Sequence, residues 1–141
     1  DIVGYEIRED FANRARKNVE SFLGSAALDR YEVHIADSYD GIDPALGMFD
    51  RVVLDLPEPW SVVPNAEAVL QPGGLLVAYT PSITQAVQVR EALKGKWIDA
   101  RTIEVLHRGW HIEGQAVRPD HRMVAHTAFL SVARFLGRNP A

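Results

Sequence analysis

Hydrophobic positions alternate between strand-like and helix-like patterns along the first two thirds of the chain. Strand patterns are runs of apolar and β-branched residues between turn formers, and helix patterns place apolar residues three and four positions apart. The predicted strands cover residues 1–7, 31–35, 49–56 and 75–79. The predicted helices cover residues 8–23, 61–70 and 84–94. Strands that alternate with helices indicate a parallel sheet covered by helices.

Turn-forming residues separate these elements. Gly24 follows the first helix, and the glycines and proline of residues 39–47 predict a loop. The Gln-Pro-Gly-Gly sequence at 71–74 predicts a turn that ends the second helix, and Pro81 ends the fourth strand.

The last third of the chain has a different pattern. Residues 102–106 and 127–135 predict two strands, and the polar, aromatic and basic segment 107–126 between them has no helix pattern. Two consecutive strands without a crossover helix predict an antiparallel β-hairpin at one edge of the sheet. The expected fold is therefore a Rossmann-like, doubly wound α/β sheet, mostly parallel, in a single domain over residues 1–141.

Composition narrows the class of protein. With 141 residues, 47% of them hydrophobic, the chain is long enough for one domain with a core. A net charge of −4 argues against general nucleic-acid affinity over the whole surface. The absence of cysteine excludes disulfides and thiolate metal sites and fits the reducing cytoplasm. No apolar run approaches the about 20 residues that span a membrane. Because the chain opens at Asp1 directly in a strand pattern, we expect it to be a piece of a longer protein.

The segment LDLPEPW at 54–60 is the most informative stretch. A carboxylate, Asp55, appears where a buried strand ends, and Pro57 and Pro59 prevent further strand pairing. Ligands of open α/β sheets bind beyond the carboxyl ends of the strands. The segment is therefore a candidate active-site loop.

Seven peptides in series carry a family resemblance. They are YEIR (5–8), LDLPEPW (54–60), PGG (72–74), YTPSITQ (79–85), RGW (108–110), RP (118–119) and HTAFL (126–130). In this order the chain resembles class I S-adenosylmethionine-dependent methyltransferases, and within them the tRNA (adenine-58-N1)-methyltransferases of bacteria and archaea. The resemblance implies S-adenosyl-L-methionine as cofactor, tRNA as substrate and a tetrameric assembly. The family's first strand and its Gly-rich cofactor loop would precede Asp1.

The resemblance implies cofactor contacts at the ends of the first two strands. Glu6 would accept hydrogen bonds from the ribose hydroxyls, and Phe11 would lie near the cofactor. Asp37 would accept from the adenine amine, and Ser38 would border the adenine ring. Each residue has a structural alternative: Glu6 caps the following helix or pairs with Arg8, Phe11 packs in the core, and Asp37 with Ser38 forms an Asx turn.

The resemblance also implies catalytic roles for Asp55 and Tyr79. The lone pair of adenine N1 is free to attack, so no base is needed. Asp55 would accept from the N6 amine, orient the ring, offset the developing positive charge and lie close to the sulfonium methyl group. Tyr79 would stack on an adenine flipped out of the tRNA. The alternatives are an Asp55 satisfied by backbone N–H groups and a Tyr79 that only packs.

Histidines and arginines cluster late in the chain: His107, Arg108, His111, Arg118, His121, Arg122 and His126. Their spacing gives no helical His pair with an acidic partner, so no metal site is predicted. The cluster fits an edge that faces tRNA or another subunit, with Trp110 and Phe129 as interface candidates, or a solvated connection.

Three other functions stay open on the sequence. An NAD-dependent oxidoreductase would share the sheet and the role of Glu6 but would not explain the Asp55 loop. A small-molecule methyltransferase would share the fold. A non-catalytic RNA-binding partner subunit would be expected to lose the strand-end acids, which this chain retains.

Overall fold

The computed structural model describes residues 1–137, which form two compact units, Asp1–Asp43 and a second that begins at Pro44. The prediction of a single domain over 1–141 includes residues 138–141, which lie outside the described part. The predicted alternation of strands and helices is confirmed in both units.

The first unit is a βαβ arrangement. Strand β1 (Ile2–Glu6) pairs in parallel with β2 (Tyr31–Ile35), and helix α1 (Glu9–Leu23) connects them through a 3-10 segment, Ser25–Arg30. Two acidic residues occupy the first turn of α1, where the helix dipole favours negative charge. The helix ends at Gly24, as predicted, with a φ of 88°.

The second unit contains the remaining elements in chain order. They are β3 (Phe49–Leu54), α2 (Pro59–Val69), β4 (Leu70–Thr80), α3 (Ile83–Ala92), β5 (Trp97–Glu104), β6 (Trp110–Glu113), β7 (Ala116–Pro119) and β8 (Phe129–Phe135). Four of the strands form one sheet in the order β3-β4-β8-β5. Strand β3 is parallel to β4, whereas β8 is antiparallel to both β4 and β5. The predicted antiparallel strand pair at one edge of the sheet is confirmed.

Alternation along the strands decides which side of this sheet is buried. In β4 the side chains of Leu76, Ala78 and Thr80 are buried, whereas Tyr79 between them is 40% exposed. Helices α2 and α3 contribute the apolar residues Val62, Ala66, Val69, Ala86 and Val89 to the same core. The core thus lies between the two helices and the sheet.

Two sequence predictions are wrong in detail, and one segment contains strands that the sequence did not predict. Residues 71–74 do not end a helix in a free turn but lie within β4, as a bulge between the pairs Phe49–Leu70 and Arg51–Leu75. Gly74 fits there because an added Cβ would lie 2.9 Å from the carbonyl oxygen of Gln71. Strand β5 begins at Trp97, not at residue 102, and the segment 107–126 contains the short hairpin β6–β7.

Candidate active site

Glu6 ends β1 and Asp37 follows the end of β2, so both lie at the carboxyl-terminal end of the β1–β2 sheet. Glu6 is the last residue of β1 and lies beside Ile35, the last residue of β2. The N–H of Ala36 donates to the carbonyl of Glu6 at 3.1 Å and extends the pairing by one step. Two acidic side chains are therefore presented from the carboxyl ends of adjacent parallel strands, and the backbones of neighbouring strands in a sheet are about 4.8 Å apart.

The Glu6 carboxylate also accepts a local hydrogen bond. The backbone N–H of Arg8 donates to Glu6 Oε1 at 2.9 Å, just before α1 begins. The donor is the residue that precedes α1, and α1 has no side-chain cap hydrogen bond, so the helix cap that the sequence offered as an alternative is not formed. A carboxylate has about four acceptor positions, so this bond is compatible with further hydroxyl donors.

Asp37 forms the Asx turn that the sequence also offered. Its Oδ1 accepts from the N–H of Tyr39 at 2.9 Å, and its carbonyl accepts from the N–H of Asp40 at 3.2 Å. Ser38 is half-buried within this turn. The turn fixes the Asp37 carboxylate at the strand end.

Tyr5 supports the same loop, a role that the sequence pattern did not reveal. Its hydroxyl accepts from the N–H of Asp43 at 2.9 Å, and its ring lies 5.5 Å from that of His34. From the sequence alone, Tyr5 is recognised only as a strand-forming residue. Its hydrogen-bond partner, Asp43, is 38 positions away in sequence.

Phe11 is not a core residue, since 38% of its surface is exposed. The guanidinium of Arg8 lies over its ring at 4.0 Å and that of Arg14 at 5.6 Å. Asp10 holds Arg8 by two hydrogen bonds of 3.0 and 2.7 Å, and this arginine lowers the pKa of the Asp10 carboxyl. The result is an exposed aromatic surface with a fixed cation beside it.

In the second unit, Asp55 and Tyr79 lie at the carboxyl-terminal ends of the adjacent strands β3 and β4. Leu54, the last residue of β3, pairs with Ala78 of β4, and both are buried. The next residue on each strand, Asp55 and Tyr79 respectively, is exposed. The structure thus brings together the two residues to which the sequence assigned catalytic roles.

The proline loop after Asp55 leads directly into α2. Pro59 occupies the first turn of that helix and is buried, and the N–H of Ser61 donates to the carbonyl of Glu58 at 3.0 Å. Proline suits this position because its fixed φ matches the helix and no N–H is needed there. Trp60 is half-buried.

The loop after Tyr79 is held by side chains that the sequence did not single out for this purpose. Ser82 caps α3, and Gln85 completes a capping box. His126 bonds the carbonyl of Pro81 through Nε2 at 2.7 Å and the carboxylate of Glu104 through Nδ1 at 2.7 Å. The hydrogen bond with Glu104, and then the one with Pro81, raises the pKa of His126.

The late basic and aromatic segment is largely exposed. In the β6–β7 hairpin, Trp110, Ile112 and Val117 are 58%, 72% and 59% exposed, and His111 pairs with Arg118 across the strands. Phe129 lies in the interior strand β8, so it is not the edge residue that the sequence suggested. Within residues 1–137, no group of three or more His, Asp and Glu side chains is arranged to hold a metal ion. No helix in that range is long and apolar enough to cross a bilayer.

Residues 5–126 match the family described as tRNA methyltransferase complex GCD14 subunit. The chain is 35% identical to the tRNA (adenine(57)-N(1)/adenine(58)-N(1))-methyltransferase TrmI of Methanocaldococcus jannaschii, over 94% of this chain and 55% of that protein. It spans about half the length of the curated relatives it matches.

Solved structures give the same result for the fold. The tRNA (m1A58) methyltransferase TrmI of Aquifex aeolicus superposes with a TM-score of 0.79 at 27% identity, over 98% of this chain and 54% of that one. An S-adenosylmethionine-dependent O-methyltransferase of Thermotoga maritima superposes with a TM-score of 0.82 at 27% identity, over 100% of this chain and 52% of that one. The predicted class I methyltransferase fold is confirmed.

Proposed function

The chain belongs to the family described as tRNA methyltransferase complex GCD14 subunit, and we propose that the whole protein methylates N1 of a tRNA adenosine. The proposed target is an adenosine of the position-58 type in the T-loop. The observation that carries this proposal is that Asp55, directly after β3, lies beside Tyr79 near the end of β4, and a proline loop follows each of them. An acid and an aromatic ring side by side suit recognition of a purine by its amine and its face.

S-adenosylmethionine, when bound, would supply a sulfonium methyl group to the lone pair of adenine N1, with the carbon–sulfur bond breaking and S-adenosylhomocysteine leaving. In our proposal Asp55 accepts a hydrogen bond from adenine N6, which orients N1 and offsets the positive charge that the ring gains. Tyr79 supports the face of the flipped base. Positioning of this kind accounts for about 7–11 kcal/mol in well-aligned reactions.

The acidic residues of the first unit suit the nucleoside part of that cofactor. Glu6 and Asp37 provide acceptors from adjacent strand ends, which match the donors of a ribose diol and an adenine amine. We assign Glu6 to the ribose, Asp37 and Ser38 to the adenine, and Phe11 to the wall beside them.

The exposed β6–β7 hairpin supports the proposed partners. Arg108, Arg118 and Arg122 lie in or beside it and supply positive charge for phosphates on a chain whose net charge is −4. The exposed apolar side chains of Trp110 and Ile112 suit an interface between subunits. We propose a homotetramer in the cytoplasm that binds tRNA.

The test is methyl transfer by the whole protein from labelled S-adenosylmethionine to unmodified tRNA, with the product mapped by nuclease digestion and mass spectrometry. We expect 1-methyladenosine in the T-loop. A matched tRNA with guanosine at that position should receive no label there. Transfer to a different atom, or none to any tRNA, would contradict the proposal.

A small-molecule methyltransferase is the second candidate, because the Thermotoga maritima structure with a TM-score of 0.82 is described as an O-methyltransferase. Label transfer to hydroxyl-containing small molecules, with tRNA left unlabelled, would favour that function.

A further inference from the structure

Two proline carbonyls follow the candidate residues, and each accepts a hydrogen bond from a side chain. The carbonyl of Pro57, two positions after Asp55, accepts from Gln85 Nε2 at 3.0 Å. The carbonyl of Pro81, two positions after Tyr79, lies 2.7 Å from His126 Nε2. The loops that follow β3 and β4 are thus both hydrogen-bonded to side chains from elsewhere in the unit.

The hydrogen bonds made by His126 and by Gln85 meet at one peptide group. The group between Pro81 and Ser82 has its carbonyl bonded to His126, while its N–H donates to Gln85 Oε1 at 3.2 Å. The same Gln85 amide donates to Pro57. A continuous hydrogen-bond path therefore runs from Glu104 through His126, the 81–82 peptide and Gln85 to the loop that follows Asp55. In such a path the position of each group depends on its neighbours.

The geometry at His126 requires a proton on each ring nitrogen. Nδ1 faces the Glu104 carboxylate and Nε2 faces the Pro81 carbonyl, both at 2.7 Å, and both partners only accept hydrogen bonds. A neutral imidazole has a single N–H. Both bonds therefore exist together only in the imidazolium.

Loss of that proton affects the two bonds unequally. A hydrogen bond to an ionised carboxylate is stronger than one to a neutral carbonyl. The neutral ring therefore keeps its N–H at Nδ1, towards Glu104, and presents the Nε2 lone pair to the Pro81 oxygen. Two lone pairs at this distance repel, so the Pro81 carbonyl is released.

We propose that the His126 imidazolium is a positioning residue for the proposed methyl transfer, holding the loops after Tyr79 and Asp55 in their reactive arrangement. The inference rests on the proposed function of those two residues. Its consequence is that methyl transfer depends on the protonation of His126, which acts through the positions of these two loops.

The surroundings of His126 set where this proton is lost. Glu104 of β5 is the charged group against the ring, the loop after β4 presents the Pro81 carbonyl, and β8 presents the ring of Phe129 at 5.1 Å. The carboxylate raises the pKa of His126 above its ordinary value of 6.5. Release is therefore placed at a pH above 6.5.

The test compares kcat across pH for the whole protein and its variants His126→Ala and His126→Gln. The ratio of wild-type to His126→Ala kcat should be about tenfold or more at low pH and should approach one at high pH, because misplacement by about 1 Å costs up to about 100-fold. His126→Gln has an amide that can donate to Pro81 and does not titrate. Its ratio to His126→Ala should exceed one and be independent of pH.

Two carboxylate variants sharpen the comparison. For Glu104→Gln, the ratio of its kcat to that of His126→Ala should fall at a lower pH than the corresponding wild-type ratio does. The reason is that the charge that favours the imidazolium is gone. Glu91→Gln removes a carboxylate that pairs with Lys94 on the exposed side of α3 and should leave the profile as in the wild type. The KM for S-adenosylmethionine should be unchanged in all four variants.

Nuclear magnetic resonance gives a readout that does not depend on activity. The Ser82 amide belongs to the peptide group that His126 holds, so its chemical shift should titrate with the His126 ring in the wild type and not in His126→Gln. A constant Ser82 shift, or a kcat ratio that does not vary with pH in an active enzyme, would overturn the inference alone. A wild-type protein that methylates no tRNA while Ser82 titrates would overturn the proposed function and leave the hydrogen-bond path intact.

Discussion

Leu54 of β3 and Ala78 of β4 are register partners in parallel strands, and both side chains are buried. This pairing sets the register of the two strands, so that Asp55, the first residue after β3, lies beside Tyr79, the penultimate residue of β4. The relationship explains why residues 24 positions apart can serve one substrate.

The first prediction concerns Asp55. Asp55→Ala should lower kcat for methyl transfer by about 100- to 1,000-fold, because a preorganised partner of the developing charge is lost. The affinity for S-adenosylmethionine, measured by calorimetry on the whole protein, should fall much less. Asp55→Asn keeps an acceptor oxygen without the charge and should give an intermediate rate. A wild-type rate in Asp55→Ala would remove the residue from the mechanism.

Tyr79 should act through its ring. Tyr79→Ala should raise the KM for tRNA and lower kcat, since stacking on one base contributes about 1–3 kcal/mol. Tyr79→Phe keeps the ring and should stay within a few-fold of the wild type in steady-state assays with tRNA. If the two variants behave alike, stacking is not the role of this residue.

Glu67 should be important for stability but not for chemistry. Its carboxylate accepts from the indole N–H of Trp97 at 2.9 Å and pairs with Lys96 at 2.7 Å, which joins α2 to β5. Glu67→Ala leaves the indole of the buried Trp97 without this partner and should lower the free energy of unfolding by about 1–3 kcal/mol in urea denaturation. Glu67→Gln, which keeps an acceptor, should lose less. An equal loss in both variants would exclude the indole bond as the cause.

Gly74 should not tolerate a side chain. An added Cβ would lie 2.8 Å from Leu70 Cγ and 2.9 Å from the Gln71 carbonyl oxygen, in the bulge of β4. Gly74→Ala should therefore cost about 1–3 kcal/mol of unfolding free energy. Gly4→Ala is the matched control, because its nearest contact is 3.6 Å, and it should stay within about 1 kcal/mol of the wild type. Equal stability of the two variants would show that the bulge can open.

Stability should depend on pH through His126. Its pKa is raised in the folded chain, mainly by Glu104, so its contribution is complete below 6.5, the ordinary value, and is lost as pH rises through the folded value. The difference in unfolding free energy between the wild type and His126→Gln should therefore shrink as pH rises above 6.5. Added salt should reduce this difference, because the side chain is half exposed. A difference that grows with pH would contradict the assignment of an imidazolium.

The sequence predicted the elements well where a single local rule applies. The acid after an apolar run located Asp55, the 3.6-residue period located α1, and the glycine after it located the end of that helix. It failed where the deciding contacts are distant. The Gln-Pro-Gly-Gly segment has turn chemistry, yet β3 accommodates it as a bulge in β4, because pairing with a neighbouring strand outweighs local preference.

By itself, then, the sequence determined the strand–helix alternation, the acids at the strand ends and the family resemblance, since these follow from periodicity and short motifs. Only the tertiary structure decided that β8 lies between β4 and β5, that Gln85 joins the loops after Asp55 and Tyr79, and that His126 faces two acceptors. The physical reason is the distance along the chain over which each kind of interaction acts. Local propensity acts over a few residues, whereas His126 and the Pro81 carbonyl are 45 positions apart and meet only when the sheet brings them together.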